Sequence, residues 1–443
     1  MFTNFWCAYC APTIIIFMIN RKFIFILPFL LVTACSKSKD TTSMKDVQQP
    51  EVLVQTDHKR DVSRIHNESS KSDTSNNTPK EVTKGRKIEK KQQKGYYDIP
   101  YDKKTRSIKV DDLFKNIKYV RLETKNESLL DDNIDKIESK NGIIYIKDNK
   151  SSGPEEFLFD DKGKYLRYID RCGQGPEEYI NGVNIAINDK GNVSFADRSG
   201  ERIVTYTSEG NFISRINLSG IDLKDLTYLN DTILVLRSDM FQAGYKYHIL
   251  NLSTGKVVKS LYQKEYRPYH MWFTESLTAR HGRVIAAGYQ SNDIVEITLD
   301  TAMVKYTLNI GNKMPPSGFW EKQPSYDVTK REEKSNGYIG HIPFFAENER
   351  YMFISFMGSL GQENLQSLAL VDKQTGKSRT FKQIVVAENL VVEPYIFYWL
   401  SNGQIVFPIW PEKIIESGNK DFLAQFPDLK EDDNPILLFG ELK

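Results

Sequence analysis

A strand-and-turn unit that recurs about every 40 to 70 residues is the feature that most constrains the fold of this chain. Each copy has a β-branched or aromatic strand, a polar turn, a second strand, a turn of the Asp/Asn-x-Gly type and a third strand. The first strands of the copies begin near residues 143, 192, 232, 283, 351 and 404. Because this spacing suits four-stranded blades with variable loops, the pattern predicts an all-β, six-bladed β-propeller.

The ends of the repeat region predict how the ring closes. The sixth copy lacks a clear outer strand, and we expect residues 96–101 to supply it, which would remove exposed sheet edges. Residues 117–122 would then be the inner strand of the first blade. Two stacked β-sandwiches are the alternative architecture, but they would not predict six copies of one unit.

The N-terminal region has the order of features found in an export signal. Arg21 and Lys22 precede an apolar run over residues 23–32, which is shorter than the roughly 20 residues that span a membrane as a helix. Residues 32–35 (VTAC) then match a bacterial lipobox. The pattern predicts a signal region over 1–34, translation from Met18 and a lipidated Cys35. A buried core segment, or a plain signal peptide that contains a cysteine, is the alternative.

Residues 35–95 are predicted to be a lipid-anchored, disordered linker ahead of a propeller over 96–443. Residues 36–95 carry 14 Lys/Arg against 9 Asp/Glu and too few apolar side chains to offset the entropy of ordering. A flexible coil of this length spans roughly 40–45 Å. The basic cluster over residues 84–91 either touches anionic polymers or lipid, or is simply solvated.

Charge and cysteine usage exclude several classes of function. Residues 96–443 carry a net charge of −5, whereas nucleic-acid binding needs a basic stripe on the folded surface. Cys7 and Cys10 have CxxC spacing, but no second pair or nearby histidine completes a zinc site. Cys172 is the one ordinary thiol of the mature chain, so no intrachain disulfide is expected.

Three segments resemble a family of six-bladed β-propeller lipoproteins of Bacteroidetes: residues 119–124 (YVRLET), 173–179 (GQGPEEY) and 433–438 (DNPILL). Residues 197–212 also resemble an NHL-type repeat. The resemblance implies a propeller in the cell envelope and no assigned activity. Residues 36–40 (SKSKD) lack the acidic run that often marks surface display in such bacteria. They favour the periplasmic side of the outer membrane, with the cell surface as the alternative.

The segment over residues 173–179 is the first candidate site. Its two carboxylates, Glu177 and Glu178, could bind a cation or sugar hydroxyls. The alternative is an inter-blade turn with solvated glutamates, because turns favour the same glycines and proline.

An aromatic shelf at one mouth of the ring is the second candidate site. The long insertion over residues 312–348 and the connection before it are rich in aromatic and histidine side chains, which suit a sugar-binding surface. These residues are His270, Trp272, Phe273, Trp320, Tyr326 and His341. The alternative is that the rings pack blades four and five together.

The sequence contains no motif that assigns catalysis. No HExxH pair, GxSxG elbow or Walker-type loop is present, so no catalytic residue, metal or cofactor is predicted. We therefore expect a binding or scaffold module for a glycan, a peptide or an envelope protein, held to the membrane through Cys35. The alternative function is a lyase or hydrolase with acids gathered around the central channel.

Overall fold

The computed structural model describes residues 95–101, 106–131, 133–149, 156–238, 244–264, 276–288, 291–316, 319, 337–358, 366–392 and 396–443. These residues form seven sheets, which we number as blades. The prediction of an all-β propeller is confirmed, and the alternative of two β-sandwiches is wrong. The prediction of six blades is also wrong, because a small three-stranded sheet without a copy of the repeat makes a seventh. The signal region, Cys35 and the linker to residue 94 lie outside the described residues.

The described part of the chain that precedes blade 1 supplies strands to three different blades. It contains β1 (Tyr96–Asp98), β2 (Ser107–Lys109), helix α1 (Val110–Leu113) and β3 (Phe114–Arg121). Strand β1 joins blade 4 and β2 joins blade 6, both by parallel pairing, while β3 joins blade 7.

Blades 1 to 4 are antiparallel meanders whose strands follow chain order from the channel outward. Blade 1 contains β4 (Ile134–Lys140), β5 (Ile143–Asp148), β6 (Glu156–Asp160) and β7 (Tyr165–Ile169). Blade 2 contains β8 (Gly182–Ile187), β9 (Val193–Asp197), β10 (Arg202–Tyr206) and β11 (Phe212–Asn217). Blade 3 contains β12 (Leu223–Asn230), β13 (Ile233–Ser238), β14 (Gly244–Asn251) and β15 (Lys256–Lys264). Blade 4 contains β16 (Leu277–Arg280), β17 (Arg283–Ala286), β18 (Asp293–Ile297) and β19 (Ala302–Asn309).

Blades 5 to 7 are less regular. A 3-10 helix (Gly311–Lys313) follows blade 4. Blade 5 contains β20 (Ile339–His341), β21 (Phe345–Glu347), β22 (Tyr351–Gly358), β23 (Ser367–Asp372) and β24 (Ser378–Phe381). Blade 6 pairs β2 with β25 (Gln383–Ala387) and β26 (Leu390–Val392). Blade 7 contains β27 (Tyr398–Trp399), β28 (Ile405–Ile409), β29 (Ile436–Leu442) and β3, with helices α2 (Pro411–Ser417) and α3 (Lys420–Leu423) between β28 and β29.

Two predicted strand roles are corrected by this pairing. Residues 96–98 do not complete the last blade: they extend blade 4, whose outer strand β19 offers an open edge eight residues long. Residues 117–121 are not an inner strand of the first blade. They belong to β3, which pairs antiparallel with β29 as the outer strand of blade 7. The ring is therefore closed by both parts of the chain, as expected, but through a different N-terminal strand.

The apolar core is divided into layers between neighbouring blades. Separate clusters of buried side chains lie between blades 7 and 1, 1 and 2, 2 and 3, and 3 and 4. The largest cluster joins the N-terminal strands to blades 4, 5, 6 and 7. Each of these sheets is covered by a neighbouring blade on both faces. Because successive side chains of a strand point to opposite faces, apolar side chains are buried on both sides of the sheet, and this packing stabilises the ring.

Two of the segments that resemble the Bacteroidetes family meet where the ring closes. The fully buried Asn434 donates to the carbonyl oxygens of Glu123 and Ser128, at 2.9 and 2.8 Å. Its Oδ1 accepts from the backbone N–H of Leu130 at 2.8 Å. Through these three hydrogen bonds the Asn434 amide pairs backbone groups that would lose stability if they were buried without a partner. The resemblance at these segments therefore has a structural basis.

Candidate functional site

A cavity of about 490 Å³ opens where the first strands of five blades end. Its lining comes from blades 1, 2, 3, 4 and 7, whose first strands are neighbours in that ring. A smaller space of about 50 Å³ adjoins it and shares Lys136, Glu138, Thr227 and Ala279. The two spaces form one polar recess along the channel, large enough for a small ligand or the end of a chain.

Tight turns between the first and second strands place the lining residues. In blade 1, Asn141 and Gly142 both have positive φ, at 54° and 74°. In blade 4, His281 and Gly282 repeat this arrangement, at 51° and 71°. Two consecutive positive φ values define the two-residue hairpin turn that Asn-Gly favours. The residue before each turn, Lys140 or Arg280, is thereby brought to the rim of the cavity.

Lys136 connects three blades at the base of the cavity. Its Nζ donates to the carbonyl oxygen of Ile185 in blade 2 at 2.7 Å and lies 3.3 Å from that of Leu226 in blade 3. The buried Asp225 carboxylate is 3.9 Å away. These contacts satisfy the ammonium within the protein, so Lys136 has a structural role as well as a place in the lining.

Glu138 connects blade 1 to blade 7 on the other side of the recess. Its carboxylate accepts from the backbone N–H and the hydroxyl of Ser401, at 3.3 and 3.1 Å, and from the N–H of Ser139 at 3.0 Å. Burial raises the pKa of Glu138 above its ordinary value, and the hydrogen bonds and Lys136 counteract this only in part. The cavity therefore contains an acid that is protonated more readily than an exposed glutamate.

The rim carries two further cations in different environments. Lys140 lies 2.7 Å from the exposed carboxylate of Asp189, so its charge is paired. The Arg280 guanidinium stacks over the ring of Trp399 at 5.4 Å. Burial lowers the pKa of Arg280, although the distant Glu347 and Glu441 oppose this effect.

The residues predicted as sites are not brought together in the described part of the chain. Glu177 and Glu178 lie in the connection between blades 1 and 2, where the Glu178 carboxylate accepts from the N–H of Gly175 at 2.7 Å. The backbone oxygen of Glu177 accepts from Tyr206 at 2.6 Å. His341 is buried on β20, with 2% of its surface exposed. None of the three lines the cavity, and His270, Trp272, Phe273, Trp320 and Tyr326 lie outside the described residues.

Sequence reasoning missed the channel-lining residues because it missed the innermost strands. The strands taken as first in each repeat are the second strands β5, β9, β13, β17, β22 and β28. The true first strand of blade 1, Ile134–Lys140, is rich in charged and polar residues. An alignment of the repeats on their first turn would have placed Lys140, Arg280 and Ser401 at equivalent positions just before a polar turn.

Two further properties hold for the described ranges alone. No helix in them is long and apolar enough to cross a membrane. No group of three or more His, Cys, Asp or Glu side chains in them is arranged to hold a metal ion.

Blades arranged around a channel, with a polar recess at its mouth, define the class of this protein as a β-propeller with a ligand-sized cavity. The chain belongs to the family described as domain of unknown function DUF4934, whose model matches residues 96–441. No curated protein matches the chain.

Solved structures of Bacteroides proteins are similar to the chain. One is a Bacteroides fragilis protein named for its presumed export, with 17% identity and a TM-score of 0.59 over 79% of this chain and 100% of that one. Another is a member of the DUF4221 family from Bacteroides vulgatus, with 11% identity and a TM-score of 0.45 over 75% of this chain and 97% of that one. The first likeness supports the propeller fold.

Proposed function

We propose that this chain is an exported, lipid-anchored binding module that captures a glycan in the cavity at the channel mouth. One observation carries the proposal: charged, hydroxyl and amide side chains from five blades converge on one recess of about 490 Å³. Saccharides present many hydroxyl groups, and a site that binds them needs hydrogen-bond donors and acceptors in a concave surface. Peptides and envelope proteins are the alternative ligands.

A titration of the purified protein with saccharides tests the proposal. Neutral and acidic mono- and oligosaccharides and peptidoglycan fragments are titrated by calorimetry, with short peptides as the competing class. A ligand at 100 times its Kd should also stabilise the fold by about 2.7 kcal/mol. Binding of peptides without any saccharide would contradict the proposed ligand class.

A cavity-blocking variant locates the binding site. Ser139 lines the cavity on β4, and an indole at this position would occupy the recess. We expect Ser139→Trp to abolish saccharide binding while the protein still unfolds cooperatively. Ser208 is similarly half-buried but lies on the turn between β10 and β11, away from the cavity, so Ser208→Trp should bind normally. Equal binding by both variants would place the site elsewhere.

The lipid anchor and the location are proposed from residues 21–35. A lipobox cysteine that carries several acyl chains attaches a protein stably to a membrane. Wild-type protein should incorporate labelled palmitate in a bacterial host and fractionate with the outer membrane, whereas Cys35→Ser should do neither. Protection from protease in intact cells would support the periplasmic side, and digestion would support the cell surface.

A lyase or hydrolase is the second candidate function, and Glu138 is the observation that favours it. Its carboxyl lines the cavity and burial raises its pKa, and a raised pKa is a property of carboxyl groups that act as general acids. Incubation of the bound saccharides with protein, followed by mass spectrometry of the products, tests this function. Cleavage by wild type but not by Glu138→Gln would establish it, and recovery of intact saccharide would leave the binding module.

A further inference from the structure

The Arg280 guanidinium is held in one position at the rim of the cavity. Arg280 is the last residue of β16, and its guanidinium carbon lies 5.4 Å from the centre of the Trp399 ring. On another side lies Gly403, where an added Cβ would be 2.6 Å from Nη2. A side chain at position 403 would therefore displace the guanidinium. Contact with an indole and close approach to a glycine restrict the position of this group.

Arg280 lacks an acidic partner within the part of the chain that the structure describes. Its Nε is buried and makes no hydrogen bond there, and its Nη2 contacts Nε2 of His281 at 3.3 Å. The other cations of the recess differ: Lys140 is paired with Asp189 at 2.7 Å, and Lys136 with two carbonyl oxygens and Asp225. Among the cations that line this cavity, Arg280 is therefore the one whose charge can pair with an external anion.

A half-buried guanidinium that has no acidic partner among the described residues favours binding of a carboxylate. Burying a charge without a partner is costly, and a carboxylate can accept two parallel hydrogen bonds from the guanidinium fork. The rest of the lining does not repel an anion, because Lys136, Lys140 and Arg280 face only Glu138 and Asp189 among the charged residues. Ser139, Ser401 and Asn402 line the same cavity. The Ser401 hydroxyl donates to Glu138 and the Asn402 amide donates to Gln404, so a ligand would share these groups with the protein.

We propose that the captured glycan is acidic, and that the carboxylate of a uronic acid unit binds Arg280 while the ring hydroxyls face the serine and asparagine side chains. This inference rests on the proposed function and specifies its ligand class. Arg280 acts here as a specificity-determining residue, since a neutral sugar would leave its charge unpaired.

The inference is tested with pairs of sugars in which one member carries a carboxylate and the other is its neutral counterpart. The purified protein is titrated with D-galacturonate and D-galactose, with D-glucuronate and D-glucose, and with the corresponding short oligomers. We expect at least one acid to bind about tenfold or more tightly than its neutral partner. The oligomers distinguish a free acid sugar from the end of a polysaccharide, because only the latter binds more tightly as units are added.

Two arginine variants separate recognition from general charge. Arg280→Gln should remove the preference, because the acid then binds no more tightly than its neutral partner. Arg283 lies three residues further on, exposed and paired with Glu296 at 3.2 Å outside the cavity, so Arg283→Gln should keep the preference. If Arg280→Gln does not fold, the salt dependence of the wild type replaces it. Affinity for the acid must then fall with added salt more steeply than affinity for the neutral sugar.

The outcomes distinguish the two proposals. Equal affinity for acid and neutral sugars, or a preference that survives Arg280→Gln, overturns the acidic ligand but leaves glycan capture standing. Failure of every saccharide to bind overturns both.

Discussion

The Nζ of Lys136 in blade 1 donates a hydrogen bond to the backbone carbonyl oxygen of Ile185 in blade 2, at 2.7 Å. The same group lies 3.3 Å from the carbonyl oxygen of Leu226 in blade 3. One side chain thus joins the inner strands of three blades, at the base of the cavity proposed to bind a ligand. Stability of the ring and shape of the site depend on the same residue.

Replacement of Lys136 by methionine should destabilise the fold. The variant keeps the apolar stem but removes the donor from two carbonyl oxygens and from the buried Asp225, so we expect a loss of about 1–3 kcal/mol. Urea unfolding at pH 7 measures it. Lys259, which is 43% exposed and pairs only with the exposed Asp300, is the control, and Lys259→Met should change stability by less than about 0.5 kcal/mol. Equal losses in the two variants would contradict the role of Lys136.

Gly163 and Gly210 occupy the same turn in blades 1 and 2 but should respond differently to alanine. Both have positive φ, at 86° and 84°, which costs a non-glycine residue about 1–2 kcal/mol. At Gly163 a Cβ would also overlap the carbonyl oxygen of Arg121 on β3, whereas at Gly210 nothing lies within 4 Å. We expect Gly163→Ala to lose at least about 2 kcal/mol more than Gly210→Ala. Thermal unfolding of both variants measures the difference, and similar melting temperatures would mean that β3 does not pack there.

Glu347 should make stability depend on pH. Its carboxylate accepts from Lys305, Lys373 and Tyr306 at 2.7, 2.8 and 2.8 Å. Burial alone would raise the pKa of Glu347, but the two lysines outweigh it and hold this pKa below the ordinary 4.5. A group whose folded-state pKa is lowered stabilises the protein above its unfolded-state pKa and loses this effect as pH falls through the folded-state value.

We therefore expect Glu347→Gln to lose about 3 kcal/mol at pH 7. The gap from wild type should shrink as the pH falls below 4.5. Denaturant unfolding from pH 7 to pH 3 measures this. The exposed neighbour Glu349 provides the control, because Glu349→Gln should stay within about 0.5 kcal/mol of wild type throughout. A gap for Glu347→Gln that does not change with pH would contradict the assignment.

Limited proteolysis should locate the boundary between the predicted linker and the propeller. Residues 84–94 contain six lysine and arginine residues in a segment predicted to be disordered, and unstructured chain is cut first. Brief treatment with trypsin should leave a resistant fragment that begins at or near Gly95, identified by mass spectrometry. First cuts within blades 1 to 4 would contradict the predicted boundary.

The local sequence predicted those strands whose two faces are both buried. In Ile143–Asp148 and Val193–Asp197, runs of β-branched and aromatic residues end at polar turns, and both were recognised as strands of a blade. The inner strand of blade 1 is not predicted from the sequence, because Ile134–Lys140 contains Asp135, Lys136 and Glu138. A strand with one polar face and few β-branched residues resembles a loop in sequence.

The candidate site depends on residues that no local pattern connects. Glu138 and Ser401 are 263 positions apart and meet only because blade 7 closes the ring against blade 1. Trp399 and Arg280 come together because the first strands of blades 7 and 4 are in contact, through a hydrogen bond from Thr278 to the Trp399 carbonyl oxygen. Glu177 and Glu178 are predicted as a site from the sequence, but their loop does not line the cavity. The Glu178 carboxylate instead accepts a hydrogen bond from the backbone of its own loop.

By itself, the sequence determined the all-β class, the recurring blade unit and the tight turns, since alternation and turn chemistry act over a few neighbouring residues. The export features at the N-terminus remain a prediction from residues 21–35. The tertiary structure decided the number of blades, the strand that closes the ring and the place of the cavity. Each of these depends on which distant sheet edge is open: β1 pairs with a strand more than 200 positions away, and β2 with one about 275 away. Such pairings are selected by the packing of the whole ring, because a single strand carries too little information to choose its partner.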